Sequence, residues 1–116
     1  MESYILTVIN NGQDNWRQYR TVFLSYANLR GFAGILNGTL TPPIPVAASA
    51  SEAEVSAYNA ALSYYNEKNS LAHYAILSSQ SQEVAYITDG FAEGFDGAAA
   101  WQALLKVYEP KSTTDS

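Results

Sequence analysis

His73 is the chain's single histidine, and so the first residue to test for acid–base or metal chemistry. On a helix, its neighbours four residues away are Asn69 and Leu77. Neither is a second metal ligand, and neither is a carboxylate that would fix a tautomer. A partly buried or surface histidine is the expected role. Serines are plentiful, but none lies in a G-x-S-x-G elbow, and a hydroxyl without a base stays inert. Asp89, Glu93 and Asp96 form the one cluster of carboxylates, yet they do not alternate as the oxygen ligands of a calcium loop do. They read as a solvated acidic loop. Gly90, Gly94 and Gly97 share that stretch, but they come after no strand and lack the lysine of a phosphate-binding loop. Cysteine is absent, which excludes disulfides and thiolate metal sites. The residues therefore predict no catalytic, cofactor-binding or metal site.

Two kinds of polar residue have more to say. Asn69 interrupts an apolar stripe, where an unpartnered amide would cost about 1–3 kcal/mol. It either bonds a neighbouring backbone group or fixes register, within the chain or against another subunit. The nine tyrosines include Tyr58, Tyr64, Tyr65, Tyr74 and Tyr86. A tyrosine has an apolar body and a polar tip, which suits core boundaries and interfaces alike.

Spacing dictates the elements that must position these residues. Residues 4–9 are mostly apolar and β-branched, part of an extended opening segment over residues 1–13. Asp14 or Asn15 can then cap a helix from about Trp16 to Arg30. Its positions Trp16, Tyr19, Phe23, Tyr26 and Ala27 share one face, with Arg17, Arg20 and Asn28 in water and Gly31 at its end. Gly34, Gly38 and Thr41-Pro42-Pro43-Ile44-Pro45 punctuate the next stretch, so a Pro-rich loop is expected there, with one helical turn carrying Phe32, Ile35 and Leu36. Ser51-Glu52-Ala53-Glu54 has the form of a capping box. From it Val55, Tyr58, Leu62, Tyr65, Asn69, Ala72 and Ile76 fall in unbroken 3-4 steps, predicting a helix of about seven turns. A shorter helix is expected over residues 82–88, with Val84 and Ile87 inward. A last one opens at Asp96 or Gly97 and carries Trp101, Leu104, Leu105 and Tyr108 on one face until Pro110. The fold class is thus all-α: a small bundle of four to five helices, with a Pro-rich loop between the first and the long central helix. A single helical domain spans residues 14–110, and residues 111–116 are a polar tail.

The bulk numbers agree with one domain. The chain has 116 residues, of which 47% are apolar, enough for a core. Six basic residues against eleven acidic ones give a net charge of −5, and scattered cations on an acidic chain argue against direct RNA or DNA binding. The opening residues lack the basic start of a signal peptide, and no apolar run has the length to cross a bilayer. A cytoplasmic location and no membrane partner are expected.

Three segments, in order, resemble the Gag polypeptide of copia-type LTR retrotransposons, in its capsid-forming region. Asn11-Gly12-Gln13-Asp14-Asn15-Trp16-Arg17-Gln18-Tyr19 resembles the family's "L-x-G-x-N-Y-x-x-W" opening with the two aromatics exchanged, and Gly31-Phe32, Ile35-Leu36-Asn37-Gly38 and Pro42-Pro43 come next at family spacing. Residues 65–76 resemble "W-x-x-x-D-x-x-A-x-x-x-I", with Tyr65 for the Trp, Asn69 for the Asp, and Ala72 and Ile76 in place. Residues 98–109 look like "T-A-x-E-A-W-x-x-L-x-x-x-Y-E", through Trp101, Leu104 and Tyr108. The Thr and Glu before Trp101 are missing, and residues 89–97 make a longer glycine-containing stretch. The chain also has no Cys/His zinc knuckle.

The resemblance implies a fold like a capsid N-terminal domain, and copies that self-associate into a shell packaging RNA. RNA would be reached only indirectly, through other Gag regions. Pro42 and Pro43, with Tyr64 and Tyr74 on the exposed side of the long helix, are the candidate interface residues. The alternative is a domesticated Gag-derived module that binds a peptide or partner protein, with the proline arm as a docked segment.

Overall fold

A computed structural model describes residues 8–90 and 94–110, and among these it contains five helices and no strand. The outer part of the opening segment, Glu93 and the polar tail lie outside the described residues. The helices are α1 (Trp16–Arg30), α2 (Ala33–Asn37), α3 (Glu52–Ser78), α4 (Tyr86–Asp89) and α5 (Gly97–Tyr108).

α1 is preceded by a single 3₁₀ turn over Gln13–Asn15. Asn15 occupies its N-cap position, but its side chain does not cap the helix. The amide reaches backward instead: Asn15 Oδ1 accepts from Asn11 N at 2.8 Å, and Nδ2 donates to the Ile9 carbonyl at 2.7 Å. The 3₁₀ turn takes over the job of leading into the helix. At the other end Gly31 adopts φ 88°, a left-handed conformation open to glycine, and its N–H and that of Phe32 both bond the Ala27 carbonyl. α2 is the tight turn expected from Phe32, Ile35 and Leu36, all three buried. Residues 41–47 form no helix, as three prolines dictate, and most of them are exposed.

The capping box at Ser51 is formed in full. Ser51 Oγ accepts from Glu54 N at 3.1 Å, and Glu54 Oε1 accepts from Ser51 N at 2.8 Å. The helix it opens is 27 residues long, but only its second half enters the core. Asn69, Ala72, His73, Ala75 and Ile76 are buried, whereas Val55 is 39% exposed, and Tyr58 and Leu62 are half-buried outside the core cluster. The first half of α3 therefore projects. The radius of gyration, 16.3 Å, exceeds the roughly 13 Å of a compact chain this long.

The helix expected over residues 82–88 is shorter and later, at Tyr86–Asp89. Asn10 N donates to the Ser79 carbonyl and Ser81 N to the Asn10 carbonyl, which ties Gln80 to Asn10 in an isolated parallel bridge. From there the chain advances by i→i−3 bonds at Val84, Ile87 and Thr88, too tight to start an α-helix sooner. Val84 is buried and Ile87 packs partly on the core.

α5 is the hub, touching α2, α3 and α4. It meets α1 through aromatic rings: Trp101 stacks on Phe23 at 5.2 Å and lies 5.7 Å from Trp16, which in turn stacks on Tyr108 at 4.6 Å. Offset or tilted rings of this kind are favourable beyond their burial.

Candidate functional site

The resemblance singles out residues that the fold gathers in one place. Trp16, Tyr19, Ala72, Ile76, Trp101, Leu104 and Tyr108 all belong to one buried cluster, contributed by α1, α3 and α5. Tyr65 packs against its edge. Burial, and secondarily the nearby Asp96 carboxylate, pushes the Tyr65 phenol above its ordinary pKa. Gly31 and Gly38 stand outside the cluster as left-handed helix ends, with φ 88° and 83°. Their role is to turn the chain on either side of α2.

Asn69 joins two helices. Its Oδ1 accepts from Ala98 N at 2.9 Å, and its Nδ2 donates to Asp96 Oδ1 at 3.2 Å. Asp96 Oδ1 also accepts from Ala99 N, capping α5. Asp96 is thus drawn out of the acidic cluster into helix capping, while Asp89 stays exposed at the end of α4. The N–H groups of Ala98 and Ala99, orphaned at the start of α5, are satisfied by this pair of side chains. Asn69→Ala should remove one partner from each bond and cost about 1–2 kcal/mol of unfolding free energy in urea titration. A change within the scatter of such titrations, roughly 0.3 kcal/mol, would rule the link out.

A second polar node is not visible in the spacing. Asn10, with no exposed surface, donates through Nδ2 to Gln80 Oε1 at 2.8 Å and, more weakly, to the Tyr108 hydroxyl at 3.4 Å. Its backbone N–H bonds the Ser79 carbonyl at 2.8 Å, and its Oδ1 accepts from Gly12 N at 3.0 Å. Gln80 Nε2 donates to the Tyr19 hydroxyl at 3.1 Å, and the Tyr19 hydroxyl lies 2.6 Å from Ser79 Oγ. Ser79 Oγ already donates to the Ala75 carbonyl at 2.8 Å, so Tyr19 is the donor to it. The one local clue is Asn10-Asn11-Gly12, whose side-chain-to-backbone turn it forms.

Burial raises the Tyr19 phenol to about 12, partly opposed by its bonds to Ser79 and Gln80. The folded pKa lies above the unfolded one, so this contribution is intact below pH 10 and is lost as pH rises to about 12. Stability measured by urea titration should therefore fall across that window. In Tyr19→Phe the fall should be shallower.

His73 is buried, at 5% exposure, with the Phe95 ring edge-on at 5.6 Å. Among the described residues its Nε2 has no hydrogen-bond partner. Among the described residues no three His, Asp or Glu side chains come together as a metal site would require. Trp16 Nε1 donates to Glu109 Oε2 at 2.8 Å, and Arg20 Nε lies 3.0 Å from the same oxygen. That ion pair is over 40% exposed on both sides, so it contributes at most about 1 kcal/mol.

Of the four candidate interface residues, two lie on α3 and two in the proline-containing arm. Tyr64 and Tyr74 are exposed on α3, ten positions apart, with Tyr74 71% exposed and Lys68 Nζ 5.4 Å from the Tyr64 ring. Pro42 is exposed and Pro43 half-buried in the arm, beside Ile44 at 87% exposure. No described helix is long and apolar enough to cross a membrane. Compared with known proteins, the chain matches no family model, no curated protein and no solved structure.

Proposed function

We propose that this chain is a structural self-assembly domain of a retrotransposon Gag protein, capsid-like in role, making protein–protein contacts of a particle that packages RNA. RNA is bound elsewhere in that protein, since this domain carries a net charge of −5. The observation that carries the reading is the meeting of three family-like segments in one core, through Trp16, Tyr19, Ala72, Ile76, Trp101, Leu104 and Tyr108. The projecting half of α3 and exposed Tyr64, Tyr74 and Tyr86 support it, because a domain that works by contact needs apolar surface. In this reading the domain acts in the cytoplasm, without catalysis, cofactor or membrane contact.

Multi-angle light scattering and electron microscopy over a concentration and salt series test it. Higher-order particles that grow with concentration are expected. A strict monomer under every condition overturns the reading. One observation favours a second reading, a Gag-derived module that binds a partner protein: Ile44 stands exposed between Pro43 and Pro45 like a segment offered for docking.

A further inference from the structure

The apolar stripe of α3 does not stop where the core stops. Asn69, Ala72 and Ile76 are its buried part, and Val55, Tyr58, Leu62 and Tyr65 continue it outward in the same 3-4 steps. Seven positions at a mean spacing of about 3.5 residues are the repeat of a left-handed helix pair. A helix that met only water would have no reason to keep that seam. Among the described residues, Val55, Tyr58 and Leu62 are not packed on the core cluster.

We propose that residues 52–68 of α3 pair with the same residues of a second copy, antiparallel, about a two-fold axis beside Ala60. This gives the self-assembly reading a surface and a register, and it rests on that reading for its role. In this register Val55 packs on the partner's Tyr65, and Tyr58 on the partner's Leu62. The two-fold repeats both layers, so four layers close the seam.

Charge selects this arrangement. Flanking the seam, Glu54 comes opposite the partner's Lys68, and symmetry makes that pair twice. Among the described residues Lys68 is in no ion pair, and Glu54 uses Oε1 for the capping box and keeps its second oxygen. A parallel pair in register would set Glu54 level with the partner's Glu54, and Lys68 level with the partner's Lys68. Antiparallel helices also oppose their dipoles favourably. Ala61 meets its own copy at the centre, where a small side chain lets the helices approach.

The lengths fit as well. The projecting segment spans roughly 25 Å. In this register the partner's Asn69, the first buried residue of its α3, comes level with Ser51, just before this helix starts. An interface of four layers is smaller than the roughly 1,200 Å² of a standard stable complex. The dimer is accordingly reversible, and multiplicity in an assembly strengthens it.

The chain's lack of cysteine makes a clean test. In the full chain, Ala61→Cys should be joined to its copy by a short thiol cross-linker at least tenfold faster than Ser63→Cys, which faces away from the seam. In sedimentation velocity, Leu62→Glu should abolish the dimer with an unchanged circular dichroism spectrum. Glu54→Gln, which can still close the capping box, and Lys68→Gln should each weaken it, and the double variant should be no weaker than either single. Assembly without preferential linkage at Ala61→Cys overturns this surface and leaves the self-assembly reading standing. Linked dimers that never grow larger overturn that reading and leave the surface standing. A wild-type chain monomeric at every concentration overturns both.

Discussion

Trp101→Ala is expected to remove about 3–5 kcal/mol of folding stability, the largest loss of any single truncation in this chain. The indole is 3% exposed and sits where α5 meets α1. It stacks on Phe23 at 5.2 Å with 17° between the planes, and tilts against Trp16 at 5.7 Å. Those neighbours are rings held by their own stacking partners, Tyr108 for Trp16 and Tyr19 for Phe23, so they cannot collapse into the space left behind. A cavity that stays open is the expensive kind. Domains of this size have about 5–15 kcal/mol in total, so the variant should be partly unfolded near physiological temperature. Urea titration followed by the fluorescence of Trp16 reads the loss directly. A decrease of less than about 1 kcal/mol would mean that α5 is not held to α1 through this ring.

Gly97→Ala should cost about 3 kcal/mol, although alanine is normally the better helix former by up to about 1 kcal/mol. The reason is the distance between two helices. A Cβ on Gly97 would stand 2.6 Å from Ala72 Cβ, 2.6 Å from His73 N and 2.7 Å from Asn69 O. Two of these three atoms are backbone, and the third is a methyl on a rigid helix, so no side chain can swing aside. α5 would have to back away from α3, lengthening the two bonds that Asn69 makes to its first turn. The sign of the change is the test: thermal unfolding at a higher temperature than wild type would contradict this packing. Gly90→Ala, whose added methyl meets none of the described residues' atoms within 4 Å, is the matched control.

Legibility from sequence tracks the range of the interactions involved. α1, its glycine stop, the capping box and the opening of α5 at Asp96 are set by residues within four positions of one another, and the pattern gives them nearly to the residue. The bridge between Asn10 and Gln80 links positions 70 apart, and nothing local marks either as the other's partner. That bridge displaces the start of α4, so one contact hidden from the pattern shifts a neighbouring element. Asp96 reads as one carboxylate of three in a loop. Its work as a cap is legible, whereas its bond to Asn69 depends on a helix 27 positions away. The stripe on α3 is plain in the spacing. A periodic apolar face looks the same whether its own chain covers it or another molecule does, and burial alone tells the two halves apart.

The node at Asn10 has a consequence for how the molecule is oriented. Asn10 touches Gln80 and Tyr108, and Trp16 and Arg20 both reach Glu109, so the chain comes into the fold and leaves it at one corner. That corner adjoins the last turn of α3, while the capping box is at the first, about 40 Å away along the axis. The long helix α3 therefore runs from that corner out to its projecting first half. Neighbours meeting through the projecting half of α3 would then keep the corner of Asn10 and Glu109 on their far sides, clear of the contact.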